Sequence, residues 1–368
     1  MINKDRLLNT FLDYVRIDSE SRHEAAMAAR LKADLEELGL EVYQDETQAQ
    51  TGSDAGNLYA TLPGNAPGEP LILCAHMDTV PPGKGVKPIV EDGVIRSSGD
   101  TVLGGDDKSA LAGIMEVLRV ILEQNLPHPD IQVIFTVCEE IGLRGGWALE
   151  FDRLIAKRAV IFDSVGDVGK IVNRGTGHSY LQATVVGRSA HAGMAPEDGI
   201  SAVQVLCEAI SNMKQLRIDP ETTANVGTIH AQYPHNVVAE RATMEAECRS
   251  RNADKLEAQV KHMEDCLKLA CEKYGAQLEL ERIRSYDPYT HDENDPFIQE
   301  VSQVMCSVGI TPKLGKSGGG SDVNNMVQHG ITALMVGTGM RGAHTTQESI
   351  PVSDLEDTAE MLLALIGR

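Results

Sequence analysis

The chain has 368 residues, which is more than a single hydrophobic core usually supports, so we expect two domains. Its apolar fraction of 42% is sufficient for two cores. The formal net charge of -21, without any local basic stripe, argues against nucleic acids and anionic membranes as partners, because their phosphates would be repelled. Acidity of this kind favours small-molecule partners.

The N-terminal segment MINKDRLLNTFLDYVR has the apolar spacing of an amphipathic helix, with charged residues throughout. It therefore differs from a signal peptide, and no stretch of the chain approaches the roughly 18 apolar residues of a transmembrane helix. The seven cysteines are odd in number, scattered and without a CxxC pair. These features predict a reduced, cytoplasmic protein.

Strands and helices alternate in the first half of the chain. Two helices are predicted at about 3–18 and 22–38, the second ending at Gly39. The segments LEVYQD, GNLYATL and PLILCAH have the composition of strands. A helix from Asp107 to about Glu123 precedes two further strands, IQVIFTVCEE and RAVIFD. This alternation predicts an α/β domain with a mainly parallel sheet flanked by helices.

The pattern changes near Gly175. The segments HSYLQATVVG, TANVGTIHAQ, ATMEAECRSR and AQLELERIRS alternate like antiparallel strands, and two helical segments lie among them. The first style then returns with a helix, a glycine-rich turn, a strand and a terminal helix. We therefore predict an α+β domain over 176–285, inserted into a domain made of 1–175 and 286–368.

Acidic and histidine residues recur at the ends of the predicted elements. The set consists of His76, Asp78, Asp106, Glu139, Glu140, Asp163 and His344. Three groups directly follow apolar runs typical of buried parallel strands, so they should emerge together at the carboxyl edge of the sheet. Imidazole and carboxylate ligands together favour zinc or a neighbouring transition metal over calcium and magnesium. The number of candidate ligands fits a dinuclear site with a shared carboxylate better than one tetrahedral ion.

The spacing within the first two motifs suggests separate roles. His76 and Asp78 project to the same face of a strand end, so one can bind metal while the other orients it. In GGDDKS the glycines allow a tight turn that delivers Asp106 or Asp107 to the mouth of a helix. Asp106 is the candidate bridging ligand, and Asp107 has the alternative interpretation of a helix cap.

The adjacent acids Glu139 and Glu140 point in opposite directions at a strand end, so they can hardly share one task. One can hold metal while the other handles a proton from water. Unpaired carboxylates at adjacent strand ends would repel one another strongly, and a cation relieves that repulsion. The set therefore favours a metal site over a collection of solvated side chains.

Eight motifs, in this order, resemble those of the M20 family of zinc metallopeptidases, most closely its peptidase T-like branch. They are AHMDTVPPG, GGDDKSALAGIMEV, CEEIGLRGG, FDS, SAHAG, ECRSR, SGGGSD and GAHTTQESI. The resemblance covers nearly the whole chain. It implies a zinc exopeptidase-like catalytic domain with two zinc ions per subunit, for which cobalt or manganese could substitute. It also implies an inserted lid domain that mediates a homodimer.

The resemblance further implies a role for each residue of the acidic and histidine set. It assigns the ligands as His76 and Asp163 for one zinc, Glu140 and His344 for the other, and Asp106 as the bridge. Asp107 would lie beside Asp106 across a cis peptide. Asp78 would orient His76, and Glu139 would be the general base.

The substrate contacts implied by the resemblance lie mostly in the inserted domain. His191 in SAHAG would reach into an active site, often that of the dimer partner, and help to stabilise the oxyanion. Arg249 in ECRSR and Asn236 in PHNVV would contact the carboxylate and carbonyl groups of the substrate. Gly319 and Ser321 would line the substrate pocket. Each of these residues also has a plain structural interpretation as part of a turn or strand.

We therefore predict a dizinc metallopeptidase of the di- or tripeptide aminopeptidase type, which hydrolyses short peptides through a metal-bridging water activated by Glu139. The alternative is an N-acyl amino acid deacylase or a carboxypeptidase on the same scaffold, because the amide chemistry is identical. A non-catalytic peptide-binding protein is a further alternative. The segment KSGGGSD stands where tripeptidases resemble RGGTD, so the resemblance does not imply tripeptide specificity.

Overall fold

The computed structural model describes residues 1–367, which form two compact units. The larger unit comprises Met1–Asn173, Thr290–Ser317 and the chain from Ser321 onward. The inserted unit comprises Arg174–Tyr289 and Gly318–Gly320. Each unit is built around its own hydrophobic cluster of buried residues.

The helices are numbered in chain order. They are α1 Lys4–Val15, α2 Ala25–Glu37, α3 Gln48–Thr51, α4 Gly105–Gln124, α5 Arg144–Trp147, α6 Ala202–Asn212, α7 Ala253–Tyr274, α8 Pro296–Ser307, α9 Asp322–Gln328 and α10 Val352–Ile366. Short 3₁₀ turns cover Phe151–Arg153 and Pro196–Asp198. Among residues 1–367, no helix combines the length and the apolar character needed to cross a bilayer.

The strands are numbered in the same way. They are β1 Val42–Gln44, β2 Leu58–Leu62, β3 Leu71–His76, β4 Ile89–Glu91, β5 Val94–Arg96, β6 Ile131–Thr136, β7 Arg158–Ser164, β8 Lys170–Gly175, β9 Gly177–Val186, β10 Leu216–Asp219, β11 Thr222–His230, β12 Arg241–Ser250, β13 Gln277–Tyr286, β14 Tyr289–Thr290, β15 Lys313–Lys316, β16 Thr332–Gly337 and β17 Ser349–Pro351.

The main sheet has the order β1-β2-β6-β3-β7-β16-β8-β14, with β15 beside β8. Its central strands β6, β3, β7 and β16 are parallel, so the predicted α/β fold class is confirmed. The outer pairs β1-β2, β2-β6 and β16-β8 are antiparallel, so the sheet is mixed rather than mainly parallel. The alternation of strands and helices indicates parallel pairing only for the central strands, because it does not reveal the direction of short outer strands.

The central strands owe their position to their apolar sequences. Every residue of β3 and of β6 is buried, as expected for parallel strands covered on both faces. Helix α4 packs against β3 and β7, and α9 packs against β16. Because β3, β6 and β7 run in the same direction, their carboxyl ends lie at one edge of the sheet.

Helices α1 and α2 precede this sheet at the predicted positions. The side chain of Asn3 accepts a hydrogen bond from the backbone of Arg6 and so caps the start of α1. Helix α2 ends at Glu37 and is followed by Leu38 and Gly39. Gly39 has a φ of 80°, the left-handed conformation that favours glycine after a helix. Small strands β4, β5 and β17 form a separate three-stranded sheet.

The inserted unit has one antiparallel sheet with the order β10-β11-β12-β9-β13. Alternate residues of β9 are buried, among them Leu181, Ala183 and Val185, which pack with apolar side chains of α6 and α7. The two helices therefore cover one face of this sheet. The sequence alternation in the strands arises from this arrangement.

Candidate metal centre and active site

Strand ends and helix starts of the larger unit bring the predicted metal-ligating residues together. His76 is the last residue of β3, Asp163 lies at the end of β7, and Glu140 follows β6 by four residues. Asp106 lies in the first turn of α4, and His344 lies between β16 and β17. His76, Asp106 and Glu140 each offer a ligand atom, and these three atoms all lie within 4.8 Å of one another.

Asp106 lies between two histidines. Its Oδ1 is 3.0 Å from His76 Nε2, and its Oδ2 is 3.4 Å from His344 Nε2. His76 Nε2 is also 4.0 Å from an oxygen of Asp163, and His344 Nε2 is 2.9 Å from Glu140 Oε2. The two oxygens of one carboxylate therefore face two separate pairs, each made of a histidine and an acid.

The ring of His76 is oriented mainly by backbone. Its Nδ1 is 2.9 Å from the carbonyl oxygen of Asp78 and 3.5 Å from Asp78 Oδ1. The carboxylate of Asp78 accepts hydrogen bonds from the backbone N–H groups of Glu139, over 2.9 Å, and Glu140, over 3.2 Å. It also accepts one from Ser21 Oγ over 2.6 Å. Asp78 therefore joins the histidine at the end of β3 to the two acids that follow β6.

The peptide bond between Asp106 and Asp107 is cis. Both residues have non-helical backbone angles within the first turn assigned to α4. Asp107 Oδ2 accepts a hydrogen bond from the backbone N–H of His76 over 3.3 Å, so this carboxylate is directed at β3 rather than at the amides of its own helix. The interpretation of Asp107 as a helix cap is therefore wrong.

The carboxylates of the cluster have strongly perturbed proton affinities. Burial and the nearby charge of Asp163 raise the pKa of Glu139, and burial and the charge of Asp106 raise that of Asp163. Burial opposes the ionisation of Asp106, but hydrogen bonds from His344 and His76 outweigh it and lower its pKa. Hydrogen bonds to Asp106 and Glu140 raise the pKa of His344 to about 10. The protein groups alone thus leave this edge with too little positive charge.

Two buried oxygens of the cluster lack a hydrogen-bond partner among the described residues. They are Asp107 Oδ1 and Glu140 Oε1. Because a buried carboxylate oxygen without a donor is costly, these atoms indicate a missing positive ligand. A divalent cation would satisfy such oxygens and also relieve the repulsion between the acids. The imidazole and carboxylate donors present fit zinc or a similar ion.

Two buried carboxylates beside the cluster were not among the predicted site residues. Glu348, which is 2% exposed, accepts hydrogen bonds from the backbone N–H groups of Gly104, over 2.8 Å, and Asp106, over 3.0 Å. Asp322 Oδ2 accepts a hydrogen bond from Thr136 Oγ1 over 2.6 Å. Burial raises the pKa of Glu348 to about 7 and that of Asp322 to about 6. Asp322 lies in the motif SGGGSD and Glu348 in GAHTTQESI, and this position within a motif is their only sequence signal.

The predicted substrate contacts of the inserted unit lie on two neighbouring loops and one strand. His191 is exposed, and its Nδ1 accepts hydrogen bonds from the backbone of Gly193 and Met194. The backbone N–H of Ala192 donates to the carbonyl oxygen of Asn236, which places these loops side by side. Arg249 lies on β12.

The glycine-rich segment is divided between the units. Gly319 belongs to the inserted unit, whereas Ser321 belongs to the larger one. Ser321 is buried, and its hydroxyl accepts a hydrogen bond from the backbone of Val323 at the start of α9. In return, Asn324 accepts one from the backbone of Ser321, which completes a capping box. Contact of Gly319 and Ser321 with substrate stays a prediction.

Residues 72–368 match the model of the peptidase family M20/M25/M40. The crystal structure of aminopeptidase PepT from Bacillus cereus is 40% identical in sequence, with a TM-score of 0.90, over 100% of this chain and 98% of that chain. A tripeptidase from Staphylococcus aureus is 38% identical, with a TM-score of 0.94 and the same coverage of 100% and 98%. Peptidase T of Escherichia fergusonii is 28% identical over 409 aligned positions, covering 98% of each protein.

Proposed function

The chain belongs to the peptidase family M20/M25/M40 and is a peptide-hydrolysing enzyme, and we propose that it is a dizinc aminopeptidase acting on di- and tripeptides. The predicted family membership is confirmed by the match over residues 72–368. The names of the two solved relatives, an aminopeptidase and a tripeptidase, support cleavage of short peptides.

The observation that carries the proposal is the position of Asp106 between two pairs of residues, each made of a histidine and an acid. We propose that Asp106 is shared by two ions, with His76 and Asp163 holding one and Glu140 and His344 holding the other. Nitrogen and oxygen donors in this mixture support zinc, with cobalt or manganese as possible substitutes.

Glu139 is proposed as the general base. Bound zinc would supply Lewis acidity, which eases deprotonation of water and polarises the scissile carbonyl. Glu139 would take the proton of the attacking water and then pass it to the leaving amine. The position of Glu139 directly before the proposed ligand Glu140, on the turn that Asp78 holds, supports this role. Asp78 would position both His76 and Glu139 through the contacts described above.

Recognition of the substrate is proposed to depend on His191, Asn236 and Arg249, with Gly319 and Ser321 lining the pocket. Arg249 would bind the carboxyl end of the peptide, Asn236 a peptide carbonyl, and His191 the oxyanion. The adjacency of the loops that carry His191 and Asn236 supports a joint role.

The inserted unit is proposed to serve as a lid and as the contact of a homodimer. Strand β10 pairs with β11 only from Thr222 to Ala224, so among the described residues the edge of β11 beyond Ala224 is open to another strand. We also propose a cytoplasmic location, which the seven free cysteines of the chain support.

The test uses the full chain reconstituted with zinc and compares a free tripeptide, a dipeptide and an N-acetyl amino acid as substrates. We expect about two equivalents of zinc by elemental analysis and turnover of the two free peptides. Fewer than about one equivalent would contradict the metal site. Turnover confined to the N-acetyl amino acid would instead establish the deacylase alternative.

A further inference from the structure

Side chains from three parts of the chain hold the segment that carries the two glutamates. Strand β6 ends at Thr136, and the next four backbone N–H groups all donate to side-chain oxygens. The acceptors are Asn57 Oδ1 for Val137 at 3.1 Å, Glu24 Oε1 for Cys138 at 3.0 Å, Asp78 Oδ1 for Glu139 at 2.9 Å and Asp78 Oδ2 for Glu140 at 3.2 Å. We call residues 137–140 the glutamate turn.

Cys138 is the residue of the glutamate turn that most needs support. Its φ of 54° is in the left-handed region, which residues with a Cβ atom rarely adopt. Cys138 directly precedes Glu139, so a rotation about its φ would redirect both Glu139 and Glu140. The direction of the proposed base and of a proposed ligand therefore depends on the groups that hold Cys138.

One oxygen of Glu24 contacts two atoms of Cys138. Glu24 Oε1 accepts from the backbone N–H of Cys138 and lies 3.3 Å from its Sγ. The same carboxylate accepts from the backbone of Arg22 over 3.0 Å and from Ser53 Oγ over 2.6 Å. Glu24 is 0% exposed, and a buried carboxylate is tolerated where several donors converge in this way.

The buried position of Glu24 is not explained by the helix that follows it. Glu24 precedes α2 as its N-cap residue, yet within the described chain its side chain makes no capping hydrogen bond to that helix. Its oxygens are directed instead at the glutamate turn and at Ser53. The contact with Cys138 is therefore the one that links this carboxylate to the proposed active site.

We propose that Glu24 is a positioning residue for Glu139 and Glu140, which acts by keeping Cys138 in its left-handed conformation. This inference rests on the proposed function, in which Glu139 is the base and Glu140 is a zinc ligand. Asn57 supports the same turn through Val137, and its Nδ2 also donates to the carbonyl oxygen of Gly145 over 3.1 Å.

Three variants separate this role from a general contribution to stability. Glu24→Ala removes the acceptor for Cys138. Glu24→Gln keeps an oxygen for Cys138 and presents an amide N–H that Ser53 Oγ can accept. Ser53→Ala is the matched control, because it removes the hydrogen bond from Ser53 Oγ to the same carboxylate and leaves the contact with Cys138 in place.

Kinetics of the zinc-loaded full chain on a free tripeptide give the first readout. We expect Glu24→Ala to lower kcat by about 10–100-fold with little change in KM, the range for residues that orient metal ligands. Glu24→Gln and Ser53→Ala should stay within about threefold of the wild-type kcat, less than the smallest effect in that range. An equal loss of kcat in Glu24→Ala and Ser53→Ala would overturn the proposal, as would a wild-type kcat in Glu24→Ala.

Hydrogen exchange in the full chain without added metal gives a readout that does not depend on activity. Glu24→Ala should exchange the amides of residues 137–140 about tenfold faster or more, because local opening becomes easier. Ser53→Ala and Glu24→Gln should match the wild type there. Unchanged exchange in Glu24→Ala would overturn the proposal even if kcat fell. If Glu24→Ala does not fold, Glu24→Asp withdraws the oxygens by one methylene and should shift both readouts in the same direction.

The exchange measurement also separates this proposal from the proposed function. If Glu139→Gln kept its turnover, the role of Glu139 as the base would fail. The exchange rates of residues 137–140 in the Glu24 variants would still decide whether Glu24 holds the glutamate turn.

Discussion

Arg249 donates two hydrogen bonds to the carboxylate of Glu247, from Nε to Oε1 over 3.1 Å and from Nη2 to Oε2 over 2.9 Å. Glu247 Oε2 also lies 3.2 Å from His178 Nε2, and the hydrogen bonds from His178 and Arg249 lower the pKa of Glu247 to about 2. The pair uses two of the five N–H groups of a guanidinium. The N–H groups on the outer edge of Nη1 and Nη2 form a second fork, which Glu247 holds in a fixed direction.

We expect Arg249→Ala to weaken binding of peptides with a free carboxyl end. KM for a free tripeptide should rise about 10–100-fold, the equivalent of about 1.5–3 kcal/mol for hydrogen bonds to a charged group. KM for the same tripeptide with an amidated end should change little. Arg241→Ala is the matched control, because Arg241 lies on the same strand β12 and donates to Glu279 over 2.7 Å. Equal losses for the free and the amidated peptide would contradict carboxylate recognition by Arg249.

Glu139→Gln should separate catalysis from metal binding. Loss of a general base typically lowers the rate by about 10²–10⁴-fold, and we expect kcat to fall within that range while zinc content stays unchanged. Glu140→Gln, by contrast, should lose zinc. Elemental analysis beside steady-state kinetics on a tripeptide checks both variants, and near-wild-type turnover of Glu139→Gln would exclude this residue as the base.

Repulsion among the clustered acids should lower the free energy of unfolding of the metal-free chain. The charge of Asp163 adds to burial in raising the pKa of Glu139, and burial with the charge of Asp106 raises the pKa of Asp163. Without metal, Asp163→Asn should therefore be more stable than the wild type, because the amide removes one of the negative charges that repel one another. Zinc at about 1,000 times its Kd should add about 4 kcal/mol to the wild type and much less to the variant.

Thermal unfolding with chelator and with added zinc tests this expectation about Asp163. A variant that is less stable than the wild type in chelator would show that the carboxylate stabilises the fold without metal. A variant that gains as much stability from zinc as the wild type would contradict the proposed ligand role of Asp163.

Gly146 should not tolerate a side chain. A Cβ atom at this position would lie 2.0 Å from Asp322 Oδ1 and 2.8 Å from Asn325 Nδ2, and Asp322 is buried. Gly146→Ala should therefore lower the free energy of unfolding by about 1–3 kcal/mol. Gly113→Ala is the matched control: it lies inside α4 with nothing within 4 Å of its Cβ position, so it should gain about 0.5–1 kcal/mol. Urea unfolding measures both, and a neutral Gly146→Ala would contradict the close contact.

The positions of three proposed metal ligands were predictable because each lies at or just after the end of a strand that the sequence displays. The apolar runs of β3, β6 and β7 are long and uninterrupted, so the ends of these strands could be located along with His76, Glu140 and Asp163. Parallel pairing of the same strands then brought those ends together. The outer strands β1 and β2 were predicted as strands, but their antiparallel direction was not, because it depends on packing.

Glu24 and Glu348 could not be predicted in the same way. A glutamate near the start of an amphipathic helix is usually solvated, and only the packing of α2 against residues far along the chain buries Glu24. Ser321 could not be assigned for a different reason. A serine after three glycines is compatible both with a pocket contact and with the helix cap that the structure contains. Side-chain burial set by distant contacts has no local sequence pattern.

The glutamate turn depends on residues that lie outside the part of the chain matched by the family model. The family match begins at residue 72 and includes every proposed zinc ligand and the proposed base. It leaves out Glu24 and Asn57, which accept hydrogen bonds from Cys138 and Val137. An enzyme shortened to residues 72–368, or a graft of these residues onto another N-terminus, would therefore contain the reactive groups. It would lose two of the three side chains that hold the glutamate turn in place.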